Sequence, residues 1–352
     1  MNRNTPSAPR LAFVDVAKAL LLYLVVVGHA VGAEDPVFRF IFAFHMHAFF
    51  FLSGFCTRRP TGNFSRYLGR KAASLLIPYG LFSLLGLGIM ELFPADWKYY
   101  SDAHDYLMRY LYVAQPYALG SVWFLPCLFV ASLMLFCVLR SWNGKDAWGL
   151  VAPMLFFGWL AVTLYDYIGA DQYECLPFKT DSALAALPFL LLGFILREKG
   201  QVERWKTPWL LAAAGILPLI VWFAGVRHNG YVNLCGCYFG NRLPYYVASV
   251  AGCLWALVLG LLLRRVRFLA WIGRHSLPIF AIHSFFLWAC QKLLLVPGSP
   301  LLSLPAFCIP FVIALPAYAA SVPFGWAWAR CEALLRRAWK NRAVPAKGGD
   351  PA

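Results

Sequence analysis

Ten largely apolar stretches follow one another along the chain, at 11–33, 40–56, 72–90, 122–139, 148–165, 182–196, 208–226, 243–263, 276–291 and 301–329. Charged residues bound them. An α-helix needs roughly 20 such residues to cross a hydrocarbon core of about 30 Å. The pattern therefore predicts an all-α polytopic membrane bundle of about ten transmembrane helices. The sixth and ninth stretches are short, and the tenth is long and broken by proline. No internal repeat or domain-sized soluble segment interrupts the series. Residues 1–352 thus read as one integral membrane domain, with tails at 1–10 and 331–352.

Composition narrows the class. The chain is 61% hydrophobic, 17% aromatic and 13% charged, whereas an ordinary globular chain is about 25% charged. Disorder, nucleic-acid reading and a conventional cytosolic enzyme are excluded. The net charge of +15 is explained by its distribution, because basic residues remain on the cytoplasmic side of a membrane. With the N-terminus inside, 23 of the 31 Lys and Arg fall on cytoplasmic segments. Both termini are therefore expected in the cytoplasm, and the predicted location is a bacterial inner membrane. Residues 1–33 also carry signal-peptide features, with a basic start and small residues Val31 and Ala33; they are read here as the retained first span. Most of the ten cysteines fall within spans. Cys175 could pair with Cys235 or Cys237 on outer loops in an oxidising compartment.

Ionisable groups inside spans are the sharper signal, since each is costly in lipid and persists mainly where it faces a cavity or a partner. The first span holds Asp15, Lys18 and His29. Eleven residues separate Lys18 from His29, which places them within about 20° of one helix face and roughly 16 Å apart along the axis. Asp15 lies within about 40° of the same line. Asp15 and Lys18, at i and i+3, are also spaced for a simple ion pair with Lys18 snorkelling. The second span carries His45 and His47, which at i and i+2 point to different helix faces and so do not form a two-His metal site by themselves. No metal is expected. Ser53 and Gly54 allow close helix approach. The segment 94–121 mixes Trp97, Tyr99, Tyr100, Asp102, His104, Asp105, Tyr106 and Tyr117, a set that suits sugar stacking or an interfacial aromatic belt.

Several of these residues stand in a recognisable order. Asp15, Val16, Ala17 and Lys18 are followed by Val25, Val26, Val27, Gly28 and His29, then by Phe44, His45 and Met46 leading into Phe50, Phe51, Leu52, Ser53, Gly54 and Phe55. This opening resembles the membrane-bound acyltransferase-3 family, in its fucose-4-O-acetylase-like branch. Arg70 and Lys71 with Leu76, Ile77, Pro78 and Tyr79, then Trp123, Phe124, Leu125 and Pro126, then Leu191, Leu192, Gly193 and Phe194 continue the likeness. It ends with Ile272, Gly273, Arg274, His275, Ser276, Leu277 and His283. His47 departs from the pattern, since many relatives have Pro there. Some members carry an extra C-terminal hydrolase-like domain, which is not expected here.

The resemblance implies an O-acyltransferase, with acetyl-CoA as acyl donor and a hydroxyl of a surface glycan or lipid-linked sugar as acceptor. It assigns the catalytic imidazole to His29 and a basic partner to Lys18, where many members have Arg. The donor is expected to dock from the basic cytoplasmic face near Asp15, Lys18, Arg70 and Lys71. His45 is the expected second polar group, orienting the acceptor or stabilising the oxyanion. Trp123 and Arg242 are expected acceptor contacts, and His283 is expected to make a structural hydrogen bond. Membrane lipid surrounds the bundle, and a homodimer is compatible with it. A transporter or flippase, with Asp15, Lys18 and His29 lining a path, is the alternative reading.

Overall fold

The computed structural model describes residues 11–60, 62–92, 103–114, 120–142, 146–168 and 176–342. Helices account for the regular structure. They are α1 (Ala12–His29), α2 (Pro36–Phe42), α3 (His45–Phe55), α4 (Phe64–Leu92), α5 (Ala103–Met108), α6 (Phe124–Ser141) and α7 (Val151–Ile168). The series continues with α8 (Thr180–Lys199), α9 (Thr207–Val221), α10 (Arg242–Leu262), α11 (Arg267–Arg274), α12 (Ser276–Leu294) and α13 (Ile309–Arg342). Among the described residues there is no β-strand, only one isolated bridge between Asn233 and Tyr238. Among the described residues, ten helical segments are long and apolar enough to cross a membrane, as the hydrophobic pattern predicts.

Several elements differ from the sequence expectation. The second span is two helices, because Phe44 (φ −146°, ψ −21°) leaves the helical region. The Ala43 carbonyl at the break accepts a hydrogen bond from Ser249 Oγ at 2.8 Å. The tenth span begins at Ile309 rather than 301, since the segment Pro300–Ser303 forms a separate 3-10 turn. The same helix runs on to Arg342, so part of the expected tail is helical. A short amphipathic helix, α11, lies between the eighth and ninth spans, where only a basic connection is predicted.

α1 is the central element, packing on α10, α11, α12, α13 and α3. Small residues set how near its neighbours come. A Cβ on Gly273 of α11 would lie 1.7 Å from the Asp15 carbonyl oxygen, and one on Gly260 of α10 would lie 2.3 Å from that of Phe13. α3 and α8 meet in a reciprocal version of this contact. A Cβ on Gly54 would lie 2.0 Å from the Leu190 carbonyl, and one on Gly193 would lie 2.0 Å from that of Phe51. Such approach is how membrane helices gain packing energy when lipid is as apolar as the protein. Tyrosine hydroxyls add specific ties, with Tyr318 donating to the Ala19 carbonyl and Tyr23 to that of Phe311, both at 2.9 Å.

The outer helices face the other way. α4 exposes Ile77, Leu81 and Leu84, α7 exposes Leu155, Phe156 and Trp159, and α9 exposes Leu211, Ile216 and Leu219. Apolar side chains turned outward, around a core that satisfies its own backbone groups, suit lipid as solvent. The protein is a multi-pass membrane protein. At the end carrying most basic residues, Lys199 Nζ lies 2.7 Å from Asp146 Oδ1 and holds that carboxyl below the usual carboxylate range.

Candidate active site

His29 is the last residue of α1, at the end remote from Lys18. Its imidazole is exposed, although the ring of His283 lies 5.3 Å away and that of Phe42 5.6 Å. It makes no hydrogen bond among the described residues, so both ring nitrogens are available. The turn after α1 folds α2 back over it, bringing Phe42 into place, and Gln291 Nε2 of α12 reaches the Ala30 carbonyl at 3.5 Å.

Two further imidazoles join it. The break at Phe44 places His45 at the first position of α3, where its ring packs edge-on to Phe42 at 4.6 Å. His45 is buried, and its Nδ1 lies 2.9 Å from the Ile41 carbonyl. His283, fully buried on α12, places Nδ1 2.6 Å from the Phe280 carbonyl. A carbonyl can only accept, so in both rings Nδ1 carries the proton and neutral Nε2 presents a lone pair. Ser284 Oγ lies 3.4 Å from the lone-pair nitrogen of His283. The Phe280 carbonyl also accepts from Ser121 Oγ at 3.0 Å, which ties the segment Gly120–Trp123 to α12. Among the described residues no group of three His, Cys, Asp or Glu side chains is arranged to hold a metal ion.

The other candidate residues are distributed over the bundle. Asp15 is buried, with its backbone against α11. Lys18 is half-buried and, among the described residues, has no hydrogen bond or ion pair. Arg70 and Lys71 sit at the basic end on α4, which packs against α6, and Lys71 Nζ lies 5.7 Å above the Tyr67 ring. Trp123 is buried beside Phe124, whose ring is 5.8 Å from that of Phe280 in the histidine layer. Arg242 forms an exposed ion pair with Asp166. Asp105 binds Arg109 at 3.0 Å. Trp97, Tyr99, Tyr100, Asp102, Tyr117 and Cys175 lie outside the described residues, as does the side chain of Tyr106.

His47 stands apart from the three-imidazole group. It is fully buried, its Nε2 pairs with Tyr245 Oη at 2.9 Å, and its Nδ1 has no partner. Only one of its two nitrogens is satisfied, so losing the tyrosine hydroxyl leaves a buried imidazole with no hydrogen bond among the described residues. Tyr245→Phe is expected to destabilise the protein by about 1–3 kcal/mol, read as a lower melting temperature in detergent. An unchanged melting temperature would show that the pair contributes nothing.

Comparison with known proteins now bears on this arrangement. The acyltransferase-3 model, described as an acyltransferase domain, matches residues 11–327. The chain belongs to the acyltransferase-3 family. A curated relative, the nodulation protein NolL of Mesorhizobium japonicum, is 24% identical over 62% of this chain and 58% of its own length. The chain therefore spans under two thirds of that relative. No solved structure matches. The acyltransferase-3 match includes His29, His45 and His283, so the exposed imidazole and its two buried neighbours all lie within the acyltransferase domain.

His283 is the member of this group whose position beside His29 the sequence does not reveal. Its signal was an ionisable residue in an apolar span, but 254 positions separate it from His29 and nothing local pairs them. Phe42, which packs on two of the imidazoles, has no distinguishing signal among the many phenylalanines.

Proposed function

We propose that this protein is an O-acyltransferase that moves an acyl group, in the first instance acetyl, from cytoplasmic acyl-CoA to a hydroxyl of a cell-surface or periplasmic glycan. The observation that carries the proposal is His29, an exposed imidazole with no hydrogen bond among the described residues, inside an acyltransferase domain and beside two imidazoles whose Nδ1 atoms face backbone carbonyls. Acyl transfer to an alcohol needs a neutral base within reach of the hydroxyl proton. In this reading the basic end of the bundle faces the cytoplasm of a bacterium and His29 lies toward the outer side.

Neutral His29 takes the acceptor proton as the oxygen attacks the thioester carbonyl carbon. The new C–O bond forms while the carbonyl electron pair moves to oxygen. Collapse of this intermediate breaks the C–S bond, and the departing thiolate takes the proton back from the imidazolium. His45 and His283 offer Nε2 as acceptors, so they suit hydroxyl groups of a sugar better than a developing oxyanion, which needs donors. This refines the expected role of His45 to acceptor orientation. Lys18, a cation without a partner among the described residues and on the helix that ends in His29, suits a donor phosphate. Arg is a bidentate phosphate partner and Lys a point charge, so Lys18→Arg is expected to retain transfer. Lys18→Ala is expected to raise the KM for acetyl-CoA about tenfold or more. Equal KM values for the wild type and the alanine variant would remove Lys18 from the donor site.

The proposal as a whole is tested by mass spectrometry of surface glycans from cells with and without the protein. An acyl increment that appears only with the protein supports it, and the increment's mass identifies the group. Glycans identical in both samples, with the protein present at normal abundance in the membrane, would contradict it.

A further inference from the structure

A cavity of about 520 Å³ opens at the basic end of the bundle, lined by Gly62, Asn63, Phe64, Phe136 and Arg140. It is formed where the turn into α4 meets the end of α6, on helices that carry none of the three imidazoles. One wall is aromatic. The Phe136 ring lies 5.4 Å from that of Phe64 and 4.6 Å from that of Tyr67. Tyr67 Oη donates to the Ser132 carbonyl at 3.2 Å, which holds this wall across α4 and α6. The Phe64 side chain is 41% exposed and lines the cavity.

The polar groups around this wall are donors. Arg140 has no hydrogen bond or ion pair among the described residues, and Lys71 has only its place over the Tyr67 ring. Asn63 Oδ1 is occupied by the Ser65 amide at 3.1 Å, so its side-chain NH₂ is the group left to offer. Gly62, at φ +103°, has nothing within 4 Å of where a Cβ would stand, so the turn itself leaves room. Aromatic side chains, an amide donor and the Arg140 guanidinium together fit a heteroaromatic base carrying a phosphate. A simple inorganic anion would have no use for the rings, and an anionic phospholipid, which could use both, is told apart by an absence of nucleotide binding.

We propose that this cavity binds the adenosine 3′-phosphate end of the acyl donor, with the base against Phe64 and Phe136 and the phosphate at Arg140. The assignment rests on the transferase reading for the identity of the donor, but the cavity's preference for a purine nucleotide does not. It also gives the donor a foothold separate from Lys18. The nucleotide is then held at the α4 and α6 side, while the thioester is delivered to the α1 side.

Two readouts on the purified full-length protein test this. The first is direct binding of adenosine 3′,5′-bisphosphate and of ADP, measured by calorimetry for the wild type, Phe64→Ala, Arg140→Gln and Arg140→Lys. Expected are tighter binding of the 3′,5′-bisphosphate than of ADP, at least tenfold loss in Phe64→Ala and Arg140→Gln, and partial recovery in Arg140→Lys. Melting temperatures establish that each variant is folded. Absence of nucleotide binding by the wild type, or binding indifferent to both residues, would overturn the site. Equal binding of ADP would overturn its assignment to the donor. The second readout is the ratio of kcat/KM for acetyl-CoA to that for S-acetylpantetheine, which lacks the nucleotide. Phe64→Ala and Arg140→Gln are expected to lower this ratio at least tenfold, and an unchanged ratio would count against the proposal. Nucleotide binding that depends on Arg140, with no transfer by the wild type from either donor, would uphold the cavity and refute the transferase reading.

Discussion

His29→Ala is expected to lower kcat by about 10²–10⁴ while leaving the melting temperature of the purified protein unchanged. The two halves of that expectation have separate causes. The catalytic loss follows from removing the one exposed imidazole of the group; His45 and His283 keep an Nε2 lone pair, but both are buried and in this account hold acceptor hydroxyls other than the reacting one. The unchanged stability follows from the absence of any hydrogen bond to His29 and from its place at the end of α1. His29→Gln is expected to be equally inactive, since an amide has no basic nitrogen. His283→Ala provides the contrast. It removes a buried 2.6 Å hydrogen bond to Phe280 and is expected to lower stability as well as transfer. Residual transfer within threefold of wild type in His29→Ala would show that another group is the base.

The second large effect is structural. Gly193→Ala is expected to cost about 1–3 kcal/mol, the range for overpacking a well-packed interior, and to fall near its upper end. The added methyl would meet the Phe51 carbonyl oxygen at 2.0 Å and the Phe55 nitrogen at 2.7 Å. These are helix backbone atoms, which cannot rotate aside as a flexible side chain can. α3 and α8 must therefore separate along their whole contact, and α3 carries His45. Gly54→Ala presses on the Leu190 carbonyl from the other side of the same crossing and is expected to behave alike. Gly215→Ala is the control, because nothing lies within 4 Å of its added methyl. Thermal melting in detergent reads the difference, and equal melting temperatures for Gly193→Ala and Gly215→Ala would contradict the close crossing.

What the sequence discloses and what it conceals divide along a physical line. Ten spans were legible because burial in lipid demands long apolar runs, and a run is a property of neighbouring residues. Lys18 and His29 were legible as one helix face because eleven residues nearly close three turns. The break at Phe44 was not legible, since it depends on Ser249 and Gly252 of α10 receiving it. His283 reaches His29 through packing of α12 against α1, which no local spacing encodes. The cavity beside Phe64 depends on two helices far apart in the chain, and aromatic residues at span ends read equally as interface anchors.

The central claim is that an acyl group enters at the basic end of the bundle and is transferred at His29 near the opposite end. Sealed membrane vesicles of both orientations, given isotopically labelled acetyl-CoA from outside, test it most directly. In vesicles whose basic face is outward, label is expected on glycan inside the lumen with the wild type and not with His29→Ala. In vesicles of the reverse orientation, no label is expected with either protein. Labelling that is equal in the two orientations, or that persists in His29→Ala, would contradict the claim.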